Sequence, residues 1–395
     1  MKVLIISTTE RIGGGAIAAR RLLVALNKNG IQAKMLVRDK QTDDKRVTAC
    51  GSKWHKAVER LRLMVALRRP YKQTWNYDLA LDGIDIISTP EYREADVVHL
   101  HWVNQGMLSL GQLRQMLLSG KRIVWTLHDE WPFRGIKHYT GIGEETQDSR
   151  VGLLDARHLE LKKSIYREGC IHFVGCSRWI AGLARKAMPQ ACIGHVNNCI
   201  PQDIFHPQDM QEARAALSLP LQDKLVLFTC QKVTDKRKGI SFLLEALRHL
   251  PSPKPHLVVV GGGAGTMPDG EKDIGQGCMH FIPYVSGERE MARLYSAVDC
   301  FVTPSLQDNL PNTIAEAMSC GTPCVGFDTG GIPEMITHMQ NGYVAAYCDS
   351  QDLARGITLT MQHPEWREAA ARTAAHDYSE EHVAQEYARI YDIQQ

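Results

Sequence analysis

Short apolar runs rich in β-branched residues punctuate this chain, and the stretches between them carry helical periodicity. The runs are continuous rather than alternating, which is the pattern of strands buried on both faces of a parallel sheet. In the first half they fall at residues 2–7, 33–39, 96–102, 122–129 and 171–177, with a weaker run at 193–200. The second half repeats the design at 224–231, 256–262, 279–285, 300–305, 323–328 and 342–347, with helices expected at 241–250, 288–298 and 313–319. Two doubly wound α/β domains follow, because 395 residues exceed the roughly 250–300 at which one core stops growing. The boundary is expected in Asn198-Cys-Ile-Pro-Gln-Asp-Ile-Phe-His-Pro207, where two prolines and an Asn interrupt the periodicity. The domains are read as 1–200 and 201–375, with 376–395 a C-terminal helix crossing back to the first. Ligands of open α/β sheets bind beyond the carboxyl ends of the strands, so two such domains are expected to face each other across a cleft.

Charge and composition narrow the function. Forty-six basic and forty-four acidic residues are too even for a general nucleic-acid binder. The opening MKVLIISTTE turns polar too soon for a signal peptide and reads as a first strand. No window approaches the roughly eighteen apolar residues that span a bilayer. Eleven scattered cysteines without a CxxC pair suit a reducing compartment and no structural zinc site. The expected location is the cytoplasm, with peripheral contact to the inner face of its membrane.

The most specific segment is Thr303-Pro-Ser-Leu-Gln-Asp-Asn-Leu-Pro-Asn-Thr-Ile-Ala-Glu-Ala-Met-Ser-Cys-Gly-Thr-Pro323, a strand end, a tight loop, a helix and a Gly-terminated return. A helix beginning near Pro311 presents backbone N–H groups and a partial positive charge, which suits a pyrophosphate. A second segment, Gln231-Lys-Val-Thr-Asp-Lys-Arg-Lys-Gly-Ile240, packs four cations into seven positions just after a strand. A solvated surface turn is the other reading of those lysines.

The first segment resembles the nucleotide-sugar signature of family 4 of the GT-B glycosyltransferases, in which two acidic residues are separated by seven others. Asp308 and Glu316 match them, Asp308 standing where the family usually has Glu. The resemblance implies two Rossmann-like domains and a metal-independent, retaining transfer of a hexose from a nucleoside-diphosphate sugar to a glycan or polyprenyl-linked acceptor. It implies that Glu316 holds the ribose, that Asp308 holds hydroxyls of the transferred sugar, and that Asn309, Leu310, Pro311 and Asn312 line the same site. Lys232 and Lys238 would grip the diphosphate, Lys238 also serving departure of the leaving group. No other cofactor and no metal are expected.

The first domain contributes weaker signals. Gly13-Gly-Gly-Ala-Ile-Ala-Ala-Arg20 follows the first strand and opens a helix, so its backbone can approach a ligand closely. It lacks the dinucleotide fingerprint, which makes an NAD reading poor. In the resembling family Gly14 and Gly15 lie against the phosphates, and His128, in Val124-Trp-Thr-Leu-His-Asp-Glu-Trp-Pro-Phe133, lies near the transferred sugar. Asp129 and His101 are read as acceptor-side. The loop through His138 and Tyr139 to Gly143 resembles a branch of exopolysaccharide transferases, without the cysteines often found there. Gly330-Gly-Ile-Pro-Glu334 brings a turn toward the same edge, or simply starts a helix.

Residues 53–72 hold seven Lys or Arg and one acidic residue, interleaved with Trp54, Leu61, Leu63, Met64 and Leu67. The stretch is either an ordinary surface helix packed on the sheet or a contact with anionic lipid. Two other functions share the expected fold: a sugar-nucleotide epimerase, and a catalytically silent subunit that binds a partner.

Overall fold

In the computed structural model the first apolar run becomes β1, Lys2–Thr9, whose successive side chains are buried on opposite faces of a sheet. Val3 and Ile5 pack with Ala19, Leu22, Leu23 and Leu26 on one face. Leu4 and Ile6 pack with Leu113, Met116 and Ile180 on the other. A strand covered by helices on both sides has no solvent face, which is why its sequence shows no polar alternation. The structure describes residues 1–139, 148–263, 278–285 and 287–392.

The chain divides into two units, Met1–Cys199 joined by Val383–Gln395, and Ile200–His382. In the first unit β2 (Gln32–Asp39), β3 (Val47–Ala49), β4 (Val97–Leu100), β5 (Arg122–Leu127), β6 (Ile171–Gly175) and β7 (Cys192–His195) join β1. The order is β3-β2-β1-β4-β5-β6-β7, and every pair is parallel. The three-residue β3 has no counterpart among the apolar runs, being too short to show a period.

The second unit holds β8 (Leu225–Lys232), β9 (His256–Gly262), β10 (Met279–Ile282), β11 (Cys300–Thr303), β12 (Cys324–Phe327) and β13 (Gly342–Ala345). They run β10-β9-β8-β11-β12-β13, again all parallel, the doubly wound order whose direction of winding reverses between β8 and β11. The equivalent reversal in the first unit lies between β1 and β4. Both are where ligands of such sheets sit.

The last helix, Glu380–Asp392, gives Val383, Ala384, Tyr387 and Tyr391 to the core of the first unit. Its two tyrosines end in a buried polar chain. The Tyr391 hydroxyl lies 2.7 Å from His99 Nδ1, His99 Nε2 lies 2.8 Å from Thr126 Oγ1, and that hydroxyl lies 2.8 Å from the Tyr387 hydroxyl. Tyr391→Phe leaves one nitrogen of a fully buried imidazole without its partner, at a cost of about 1–3 kcal/mol. Urea unfolding should show a lower midpoint with an unchanged slope. A loss below about 0.5 kcal/mol would mean that the helix is held by packing alone.

Candidate functional site

At the reversal point of the second unit, three turns meet. The turn after β8 carries Asp235, whose carboxylate accepts the Arg237 N–H and caps the short Lys236–Lys238 helical turn. Gly239 follows at φ 66, a left-handed conformation, and a Cβ there would lie 1.9 Å from the Pro304 carbonyl oxygen. Glycine is required on both counts. The close approach lets Leu306 N–H donate to the Arg237 carbonyl at 2.8 Å, knitting the turn after β8 to the loop after β11. Gly330, at φ 60 in the turn after β12, meets the Asp308 carbonyl oxygen in the same way, at 1.8 Å from a Cβ, and Gly331 N–H donates to that oxygen.

This framework brings Lys238 and Asp308 together. Lys238 Nζ donates to Asp308 Oδ2 at 2.6 Å, across 70 positions of sequence, and both side chains stay partly open to solvent. Lys232, at the end of β8, is exposed. Asn309, Leu310 and Pro311 are buried; Pro311 is the N-cap, so the helix begins at Asn312 and runs to Ser319. No side-chain hydrogen bond caps it. The Ile314 N–H donates to the Pro311 carbonyl at 3.0 Å in its first turn.

Glu316 sits on the inner side of that helix, 8% exposed, and accepts the hydroxyl of the fully buried Tyr295 at 2.9 Å. Burial and the Glu316 charge push the Tyr295 phenol well up, so it remains a donor to the carboxylate. Tyr295 belongs to no motif; only its place in the Glu288–Ala297 helix, behind the signature helix, could have marked it. The Gly261–Gly263 run at the end of β9 was also missed. A Cβ at Gly261 would lie 2.3 Å from the Cys230 carbonyl oxygen, so the glycines keep backbone, not side chains, beside the lysine turn.

In the first unit, Gly13 at φ 92 ends the β1 loop and starts the Gly14–Lys28 helix. Gly15 lies over His128, where a Cβ would come within 3.0 Å of the imidazole. The predicted glycine loop and the predicted histidine are therefore in contact. His128 Nε2 lies 2.9 Å from His101 Nδ1 with the rings stacked, and His101 in turn contacts the ring of His99 at 4.4 Å. Burial holds all three below the ordinary imidazole range, His128 down to about 4 despite Asp129, His99 down to about 3, and His101 well down. A neutral pair shares one proton between the facing nitrogens of His101 and His128. Among the described residues nothing hydrogen-bonds the buried Nε2 of His101.

Asp129 is turned inward. Its carboxylate accepts the Trp131 N–H at 3.0 Å and the Trp102 indole at 2.9 Å, and lies 2.7 Å from His138 Nδ1. Burial alone would raise its pKa; His138 and these N–H groups outweigh that and lower it. The loop it anchors is held from behind by Lys162, whose ammonium donates to the carbonyls of Trp131, Arg134 and Gly135 at 2.6–3.0 Å, 3.2 Å from the centre of the Trp131 ring. Burial draws the Lys162 pKa down, opposed by Asp78, Asp129 and Asp155. Neither role could be read from spacing. Of the loop 138–143, only His138 and Tyr139 lie within the described residues. Glu334 is exposed on a short helix, Ile332–Met335.

Residues 223–363 match the family model described as glycosyl transferases group 1. Over 193 residues the chain is 30% identical to a D-inositol 3-phosphate glycosyltransferase of Mycobacterium avium (strain 104). That alignment takes in 47% of this chain and 44% of the relative, so the chain spans less than half the length of the protein it matches. Sucrose-phosphate synthase from Thermosynechococcus elongatus superposes with a TM-score of 0.70 at 19% identity, over 99% of this chain and 98% of that one. HepE from Anabaena, in complex with UDP-glucose, superposes with a TM-score of 0.65 at 16% identity, over 99% of each. At these identities the likeness is one of fold.

The buried histidines set a pH dependence. Unfolded, they titrate near 6.5; folded, they stay neutral to about 4 for His128 and about 3 for His99. The unfolded chain binds more protons between those values, so their contribution is complete above pH 6.5 and is lost as pH falls toward 4. Glu59 acts in the opposite sense, since burial, then Asp78, raises it to about 7. Three imidazoles against one carboxyl make stability fall as pH drops below about 6. Urea midpoints across that range check this, and a flat profile would show that the cluster is hydrated.

Proposed function

We propose that this chain, whose second unit carries the group 1 glycosyltransferase segment on a GT-B fold, is a retaining, metal-independent hexosyltransferase. It moves a sugar from a nucleoside-diphosphate donor to a glycan or polyprenyl-linked acceptor in surface polysaccharide synthesis. The observation that carries this reading is the 2.6 Å pair of Lys238 and Asp308 beside the N-terminus of the Asn312–Ser319 helix, with Glu316 one turn along it. HepE, of the same fold, is in complex with UDP-glucose, which supports a nucleotide sugar as the substrate of such an edge.

In this reading Glu316, fixed by Tyr295, accepts hydroxyls of the ribose. The amides of Asn309, Leu310 and Asn312 and the ammonium groups of Lys238 and Lys232 receive the diphosphate, and Asp308 receives hydroxyls of the sugar. The sugar–phosphate C–O bond breaks with its electron pair going to the diphosphate. The acceptor oxygen bonds to the same carbon from the same face, and its proton passes to the departing phosphate oxygen. Charge grows on the diphosphate as the bond breaks, so a lysine within reach of it stabilises the transition state more than the ground state. That cation and the helix terminus supply the charge stabilisation for which other transferases use a divalent ion. Neutral His128, steadied by His101 and covered by Gly15, offers the sugar a hydrogen bond without adding charge, while Asp129 positions the loop on the acceptor side.

Lys238→Ala is expected to lower kcat on the order of 10²–10³ with a much smaller change in affinity for the nucleotide sugar. Lys238→Arg should recover part of the loss. Glu316→Gln should weaken binding of the nucleotide and leave the fold intact. The substrate for these assays is the nucleotide sugar that gives the largest thermal stabilisation, about 2.7 kcal/mol at one hundred times its dissociation constant. Nucleoside diphosphate should appear only with acceptor present, and in excess chelator. Release of an epimerised nucleotide sugar without acceptor, or normal kcat in Lys238→Ala, would overturn the assignment.

A further inference from the structure

The basic stretch folds into the Trp54–Leu67 helix, and the structure sorts its residues into two faces. Leu63 and Leu67 pack on Tyr77, Leu79 and Val151. Arg60 also faces inward. Its guanidinium donates to the Thr74 carbonyl at 2.8 Å and lies 5.9 Å from the Tyr71 ring, tying the turn at Tyr71–Gln73 to the helix. Glu59, the one acidic residue of 53–72, is fully buried and accepts the N–H groups of Leu79, Ala80 and Leu81.

The opposite face is open and apolar. Trp54, Leu61 and Val65 are 71%, 61% and 69% exposed, and Tyr71 and Trp75 are exposed beside them. Positions 54, 58, 61 and 65 recur at the helical period, so they form one stripe rather than scattered residues. Lys53, Arg62, Arg68 and Lys72 are exposed around it. With Glu59 inside, the rim of 53–72 is cationic throughout.

We propose that the Trp54–Leu67 helix and the adjoining Tyr71–Trp75 turn form a docking surface for the interfacial layer of an anionic bilayer. Two indoles and a phenol at the level of a ring of cations match a boundary that is anionic outside and apolar beneath. A protein partner would need a carboxylate opposite each cation. A second copy of this chain across a two-fold axis would set one cationic rim against the other. The proposal deepens the reading of a polyprenyl-linked acceptor, since it brings the first unit to the surface where such an acceptor lies.

Co-sedimentation with phosphatidylcholine vesicles, with and without phosphatidylglycerol, tests it. The protein should bind the anionic vesicles only. Arg62→Gln/Arg68→Gln/Lys72→Gln should lower partitioning on the order of 10²-fold, and Trp54→Ser/Leu61→Ser/Val65→Ser by about tenfold or more. Emission assigned to Trp54, by difference from Trp54→Phe, should shift to the blue on vesicles. Equal binding of both triple variants and the parent chain, no preference for anionic vesicles, or a dimer that the apolar triple dissociates would each overturn the proposal. Thermal stabilisation by the nucleotide sugar is measured on the same variants. Its retention without vesicle binding defeats the docking surface and leaves the transferase reading standing, whereas its absence from the parent chain defeats that reading instead.

Discussion

Parallel strands cannot be joined by a hairpin, so each must be followed by a crossover that returns to the starting edge of the sheet. Both sheets of this chain are wholly parallel, and the constraint gathers every strand-to-helix turn onto one edge of each. At the reversal of winding two crossovers leave in opposite directions and the turns part, opening a floor made of backbone. The residues singled out at the second floor come from turns separated by long stretches of sequence: Lys238 after β8, Asp308 after β11 and Gly330 after β12. Gly239 and Gly330 are what let those turns touch, because a single methyl group at either would strike a carbonyl oxygen.

The two units handle charge in opposite ways. In the second, cations are kept at the surface of the floor, where Lys238 is half open and answered by Asp308. In the first, the cluster is stripped of charge by burial: His101 and His128 stack and share a hydrogen bond, and His99 lies tilted against His101. The exception is Lys162, an ammonium sealed beneath the loop that follows β5. Three carbonyl oxygens take its three N–H groups, and the face of Trp131 takes its charge. It orders a loop of irregular backbone in the way a bound ion would.

Strand runs were legible because burial on both faces leaves an unbroken apolar signature, and β3 was not, because three residues carry no period. Of the candidate sites, the signature around Asp308 and Glu316 could be read because loop, helix terminus and return strand are contiguous in sequence. Tyr295, His99 and Lys162 could not, since each meets its partners through the fold, across 21, 27 and 27 positions or more. Asp129 shows the limit in another form. Its place at a strand end was read correctly, but which way a carboxylate turns depends on Trp102 and His138, and no spacing rule contains them. Arg60 and Arg62 differ in the same way, since two neighbours of one charge face core and solvent solely through helical phase.

Asp308 is the position at which the chain leaves the pattern it resembles, and the geometry gives the shorter carboxylate a reason. The backbone here cannot move: its carbonyl accepts Gly331 N–H and lies against Gly330. From that fixed point the short side chain already reaches Lys238 at 2.6 Å and sits 3.5 Å from the Ser305 hydroxyl. One further methylene would carry the carboxylate past the ammonium or force the lysine to retreat. The ion pair thus ties the length of the acidic side chain to the place of the cation, so the two residues are best regarded as a matched unit.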